Sequence, residues 1–153
     1  MTGSLVRRGL KPAVLMLLSA VTWCVEATVS KAWSRATLNG AEAGVVFAVI
    51  TGGDADDKLI AAESTAANFT EVHEHANGAD GVMVMREVQG GIAIPAKGAV
   101  ELKPRSYHVM LIGLKAPLKK GAKVPVVFVF QHAGRLAVEA DVLDPWAMSP
   151  DDR

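Results

Sequence analysis

The chain has 153 residues, half of them hydrophobic, with equal numbers of basic and acidic side chains. That length suits one domain with room for a core, and that composition excludes a disordered chain. Residues 1–27 carry Arg7, Arg8 and Lys11 against Glu26, so the rest of the neutral chain holds a net charge of −2 and offers no electrostatic footprint for nucleic acid.

The first 27 residues read as an export signal. Arg7, Arg8 and Lys11 form a positive start, and Ala13 to Val21 is an apolar run too short for an ordinary membrane span. Val25-Glu26-Ala27 supplies a small-residue cleavage site. Left uncleaved, the segment would tether the chain to the membrane. Cys24 is the only cysteine, and Trp23 stands where a lipoprotein signal needs a small residue, which argues against lipidation. Cleavage after Ala27 leaves a mature protein with no disulfide, no thiolate ligand and no cysteine nucleophile.

Beyond the leader the chain reads as short strands between turn signals. Val29 to Arg35 alternates weakly and contains Trp33; Asn39-Gly40 turns it. Val45 to Thr51 is rich in β-branched residues and predicts a buried strand. Leu59 to Ser64 and Glu71 to His75 are short strands. Asn77 to Gly81 then turns the chain into Val82 to Val88 as an antiparallel hairpin. Ile92 to Ile94, Val100 to Leu102 and Tyr107 to Leu114 follow. In the last of these, alternation puts Tyr107, Val109 and Leu111 on one face and His108, Met110 and Ile112 on the other. A solvated basic loop holding Lys119, Lys120 and Lys123 leads to Val124–Phe130, with Pro125 near its start, and Leu136–Val142 closes the set. Eight to ten strands without a helical run or a repeat predict an all-β, Greek-key β-sandwich. The expected division is a signal peptide over 1–27, a sandwich over 28–143 and a flexible polar tail over 144–153.

Three pairs of histidine and methionine stand out. They are His73-Glu74-His75, Met83-Val84-Met85 and His108-Val109-Met110, and they place three of the four histidines and three of the six methionines within one stretch of 38 residues. Residues i and i+2 of a strand share a face, so each pair presents two donors side by side. Any one pair alone reads equally as core packing or solvated surface. Imidazole and thioether together form a soft donor set suited to Cu(I). An exported site of this kind avoids thiols that would oxidise, and the lack of cysteine excludes a blue-copper electron-transfer site.

These residues and their flanks resemble the PCu(A)C-type periplasmic copper chaperones. The family motif is His, about ten residues, Met, about twenty-one residues, then His-x-Met, which falls here on His73, Met85, His108 and Met110. The flanks Ala32-Trp33-Ser34-Arg35-Ala36, Gly81 to Arg86, Ile94-Pro95-Ala96, Leu102-Lys103-Pro104 and Tyr107 to Lys115 follow the family in order. Eleven residues separate His73 from Met85 and twenty-two separate Met85 from His108, each gap one longer than the motif. The first insertion makes His75 and Met83 reserve donors. Arg105-Ser106 replaces glycines common in relatives. The resemblance implies a cupredoxin-like sandwich that binds one Cu(I), a monomer that is not an enzyme. It implies delivery to a periplasmic acceptor: the copper site of a cytochrome c oxidase subunit, or another copper chaperone. Glu74 and Arg86 are candidate groups for tuning exchange. Some relatives bind Cu(II) through a His/Met-rich tail; this tail offers only Met148, so no second site is expected.

Three other readings compete with this one. One is an exported sandwich that binds a protein partner without metal. A zinc site could draw on His73, His75 and His108, but methionine is a poor zinc ligand. A hydrolase fails because His132 has no Ser-His-Asp or Gly-x-Ser-x-Gly pattern beside it. Asn68-Phe69-Thr70 is a chance glycosylation triplet.

Overall fold

The computed structural model describes residues 25–152. The leader up to Cys24 lies outside them. Ten strands follow in order: β1 Thr28–Arg35, β2 Ala43–Thr51, β3 Asp57–Glu63, β4 Ala67–Asn77, β5 Met83–Glu87, β6 Ile92–Ile94, β7 Ala99–Leu102, β8 His108–Leu114, β9 Lys123–Phe130 and β10 Arg135–Leu143. No helix occurs among the described residues. Hydrogen bonding joins nine strands in the order β5-β4-β8-β2-β1-β10-β9-β3-β6, with β7 added on β2. The sheet folds over so that its two halves face each other across one core. Val46, Ile50, Val109 and Leu111 come from one half; Leu59, Val126, Phe128 and Val142 come from the other. This is the expected β-sandwich, and alternation along strands such as β8 and β9 builds it.

β8 shows the alternation directly. Val109 and Leu111 are fully buried in the core, while Met110 and Ile112 on the opposite face are only partly covered. β1 breaks its own alternation. Its register against β2 shifts between Ser30 and Trp33, where Lys31 takes a positive φ of 49°. The extra residue is a bulge, and it sends Trp33 to the outer face opposite Phe47 while Ser34 turns inward. Ser34 is fully buried, and its hydroxyl donates to the Val45 carbonyl at 2.6 Å.

Two elements differ from expectation. β4 begins at Ala67 rather than Glu71, because its first residues pair with the end of β8, Ala67 opposite Leu114. The tail, expected to be loose, packs. Ala147 is 3% exposed and joins Trp33, Phe47 and Leu143 in a small second core on the outer face. Two lysines of the basic loop are paired, Lys120 with Asp144 and Lys123 with Asp141.

Candidate metal centre

The donors converge where β2, β8, β4 and β5 lie side by side. The register sets Met110 opposite Val45 on one side and Glu71 on the other, His73 opposite His108, and His75 opposite Met85. All these residues share the outer face. A cavity of about 380 Å³ opens there, and Met85, His75, His108 and Met110 are among its lining residues. His73 is not in that lining. Its ring stands beside the cavity, 5.9 Å from the His108 ring, against 5.1 Å for His75. Met83 is also outside it, half exposed near the hairpin tip opposite Asn77.

His108 is the centre of the arrangement, 2% exposed although it lies on the outer face. Its Nδ1 meets the Ser106 carbonyl at 2.9 Å. A carbonyl only accepts, so Nδ1 carries the proton and the neutral ring turns its Nε2 lone pair away from Ser106. That Nε2 lies 3.0 Å from the Met85 sulfur. Two electron-pair donors therefore face each other with no hydrogen between them. Burial holds His108 below the ordinary histidine pKa, despite the opposing pull of the Ser106 carbonyl, and the nearness of His75 and His73 pushes the same way. The neutral form, the one with a free lone pair, is thus favoured.

His73 gives the same signal. Its Nε2 sits 2.8 Å from a Glu71 carboxylate oxygen, so in the neutral ring the proton is on Nε2. Its Nδ1 is buried and has no hydrogen-bond partner. An orphaned buried nitrogen costs stability unless something else occupies its lone pair. These two observations fit a soft cation.

The support around the donors is mostly invisible to a search for ligand side chains. Pro104 and Arg105 form a turn in which Ser106 N–H donates to the Lys103 carbonyl at 3.1 Å, and Arg105 takes a φ of 65°. Positive φ at the third position of such a turn favours glycine, and here arginine adopts it. The turn aims the Ser106 carbonyl at His108, and at His75 Nδ1 more weakly at 3.4 Å. Glu71 was also missed, although it precedes His73 by two and shares its face. Glu74 and Arg86, the expected tuning pair, do form an ion pair at 2.8 Å. They alternate with the donors and so project from the opposite face, away from them.

Glu71→Gln keeps an acceptor for His73 but removes its charge. If the centre holds Cu(I), its affinity, measured by competition with a coloured chelator, should fall about tenfold. An unchanged affinity would mean that the carboxylate only solvates the ring.

The family model that matches residues 27–142 is described as "Putative lipoprotein LpqE-like". The chain belongs to the LpqE-like family. A curated relative of the LpqE-like chain, "Putative lipoprotein Lxx21020" of Leifsonia xyli subsp. xyli (strain CTCB07), is 35% identical over 116 residues, which is 76% of this chain and 69% of the relative. Among solved structures, the "Copper-bound PCuAC domain from PmoF2" is similar at a TM-score of 0.66 and 22% identity, covering 80% of this chain and 96% of that domain. The copper(I)-bound protein of "Solution structure of CuI-DR1885 from Deinococcus Radiodurans" is similar at 0.62 and 27%, covering 83% and 85%. The LpqE-like chain thus has the cupredoxin-like fold of PCuAC domains. The resemblance read from its residues holds at that level, under a different family label.

Proposed function

We propose that this LpqE-like protein is a copper chaperone that carries one Cu(I) on the outer face of its sandwich. Met85, Met110, His108 and His73 are the donors. The observation that carries the reading is the meeting of His108 Nε2 and Met85 Sδ at 3.0 Å, two lone pairs aimed at one another on the wall of a cavity that Met110 also lines. Thioether and imidazole favour Cu(I). All four donors are neutral and leave the ion's charge uncompensated, which suits cargo rather than a permanent cofactor. Met85 is 49% exposed, so an acceptor's ligands can displace it first. Copper-bound structures with the same fold support the reading.

The acceptor implied by the PCu(A)C resemblance is the copper site of cytochrome c oxidase, reached outside the cytoplasm. The lipoprotein descriptions of the family and of the Leifsonia relative support export and attachment to a membrane.

Titration with Cu(I) against a competing chelator tests the carrier. One tight equivalent is expected. No tight binding would leave the metal-free interaction module as the better account. His75 lines the cavity and His73 does not, which favours a second reading with His75 as fourth donor. The two readings separate on alanine variants. His73→Ala should weaken Cu(I) binding at least tenfold and His75→Ala by much less. The reverse order would move the donor role to His75.

A further inference from the structure

The chain does not leave the site at the end of β10. Ala147 N–H donates to the Asp144 carbonyl at 3.1 Å, and this turn brings the tail back over the outer face. Met148 follows, and it lines the same cavity as Met85, His108 and Met110. Arg35 holds it there. The Arg35 Nε donates to the Ala147 carbonyl at 2.7 Å, the guanidinium lies 5.8 Å from the centre of the Phe47 ring, and Nη2 donates to the Met148 sulfur at 3.0 Å. Asp152 closes the far end by accepting from the Met148 and Ser149 N–H groups at 2.7 and 2.9 Å.

Met148 does little for packing. It is 55% exposed, while its neighbour Ala147 does the burying. What it contributes is a thioether on the cavity wall, with a sulfur lone pair directed at a cation. We propose that Met148 is a third thioether donor for the cargo ion, joining Met85, Met110 and His108 in place of the flanking imidazole once the tail closes, so that Cu(I) keeps four donors, and that Arg35 is its latch. When Cu(I) enters, one cation replaces another at the same sulfur. The side chain has three rotatable bonds and turns into the cavity without unfolding the tail. The guanidinium keeps its bond to the Ala147 carbonyl and its place over Phe47. This inference rests on the chaperone reading and adds a donor from a segment that the His/Met motif does not reach.

Met148→Leu in the full chain is the test, because leucine keeps the volume and removes the sulfur. X-ray absorption of the Cu(I)-loaded protein should count three sulfur neighbours in the parent and two in the variant. Cu(I) affinity should fall about tenfold, and release to a chelator should quicken by a similar factor. Arg35→Gln should act in the opposite direction, raising affinity several-fold by freeing the sulfur and removing a like charge. Equal sulfur counts and release rates in the parent and Met148→Leu would overturn the proposal. So would a fall in affinity in Arg35→Gln when its thermal unfolding matches the parent's. If the parent itself takes up no Cu(I), the chaperone reading fails instead, and that result is distinct from the others.

Discussion

His108→Ala is expected to abolish tight Cu(I) binding, with a loss of affinity of roughly 100-fold or more, while the sandwich stays folded. The expectation follows from position. His108 lies next to Met85, its ring centre is within 6.4 Å of those of Phe47, His73 and His75, and the Ser106 carbonyl fixes its tautomer. Alanine removes the buried lone pair that faces Met85 on the cavity wall. Its neighbour provides the control. Val109 points into the core between the sheet halves, so Val109→Ala should lower stability but leave Cu(I) affinity unchanged in the folded protein. The parent also has a defined pH response. Because the folded protein holds His108 below its ordinary pKa, protons should compete with Cu(I) at this residue at lower pH than at an ordinary histidine. Tight one-equivalent binding by His108→Ala would place the donors elsewhere.

The outer face of β8 was legible because a strand has a period of two. Val109 and Leu111 are apolar and take the core, so His108 and Met110 have to face the other way. The same rule gave Met83 and Met85 a common face but could not choose between them. In the structure Met85 lies opposite His75 and lines the cavity, whereas Met83 lies opposite Asn77 near the hairpin tip. His73 and His75 posed the same ambiguity, and strand spacing cannot resolve two residues of one face.

What the sequence hid falls into two kinds. The Ser106 carbonyl is backbone, so no residue type announces it. Its aim depends on Arg105 adopting a conformation that glycine would favour. The tail was hidden for another reason. Its composition is polar, and it docks through one alanine and one arginine that is 112 residues away in the chain. Neither carries a periodic signal. The start of β4 was missed because Asn68, Phe69 and Thr70 have the look of a loop; Phe69 is 67% exposed, and the segment is held by ladder bonds to β8 rather than by burial.

Asp57→Ala should lower stability by roughly 2–4 kcal/mol, measured by urea unfolding, without weakening Cu(I) binding in the folded fraction. Asp57 opens β3 and is only 7% exposed. Its carboxylate accepts from the N–H groups of Lys58 at 2.7 Å, His132 at 2.9 Å and Ala133 at 2.8 Å. Those bonds tie the start of β3 to the turn between β9 and β10. Alanine leaves the N–H groups of His132 and Ala133 without that acceptor in a part-buried place. Asp57 lines a separate cavity with His132 and Ala133, not the one lined by Met85, His108 and Met110, which is why the metal centre should be spared. The effect also has a pH signature. Burial alone would raise the Asp57 carboxyl, but the three backbone donors, aided by the nearby His132, outweigh it and hold the pKa below its ordinary value of 3.8. A carboxyl whose pKa is depressed by folding contributes its full stabilisation above the unfolded-state value. It loses that contribution as the pH falls through the lower, folded-state value. The parent should therefore lose stability on acidification through this window, and Asp57→Ala should lose less. Parallel acid profiles for the two proteins would assign the acid sensitivity to other carboxylates.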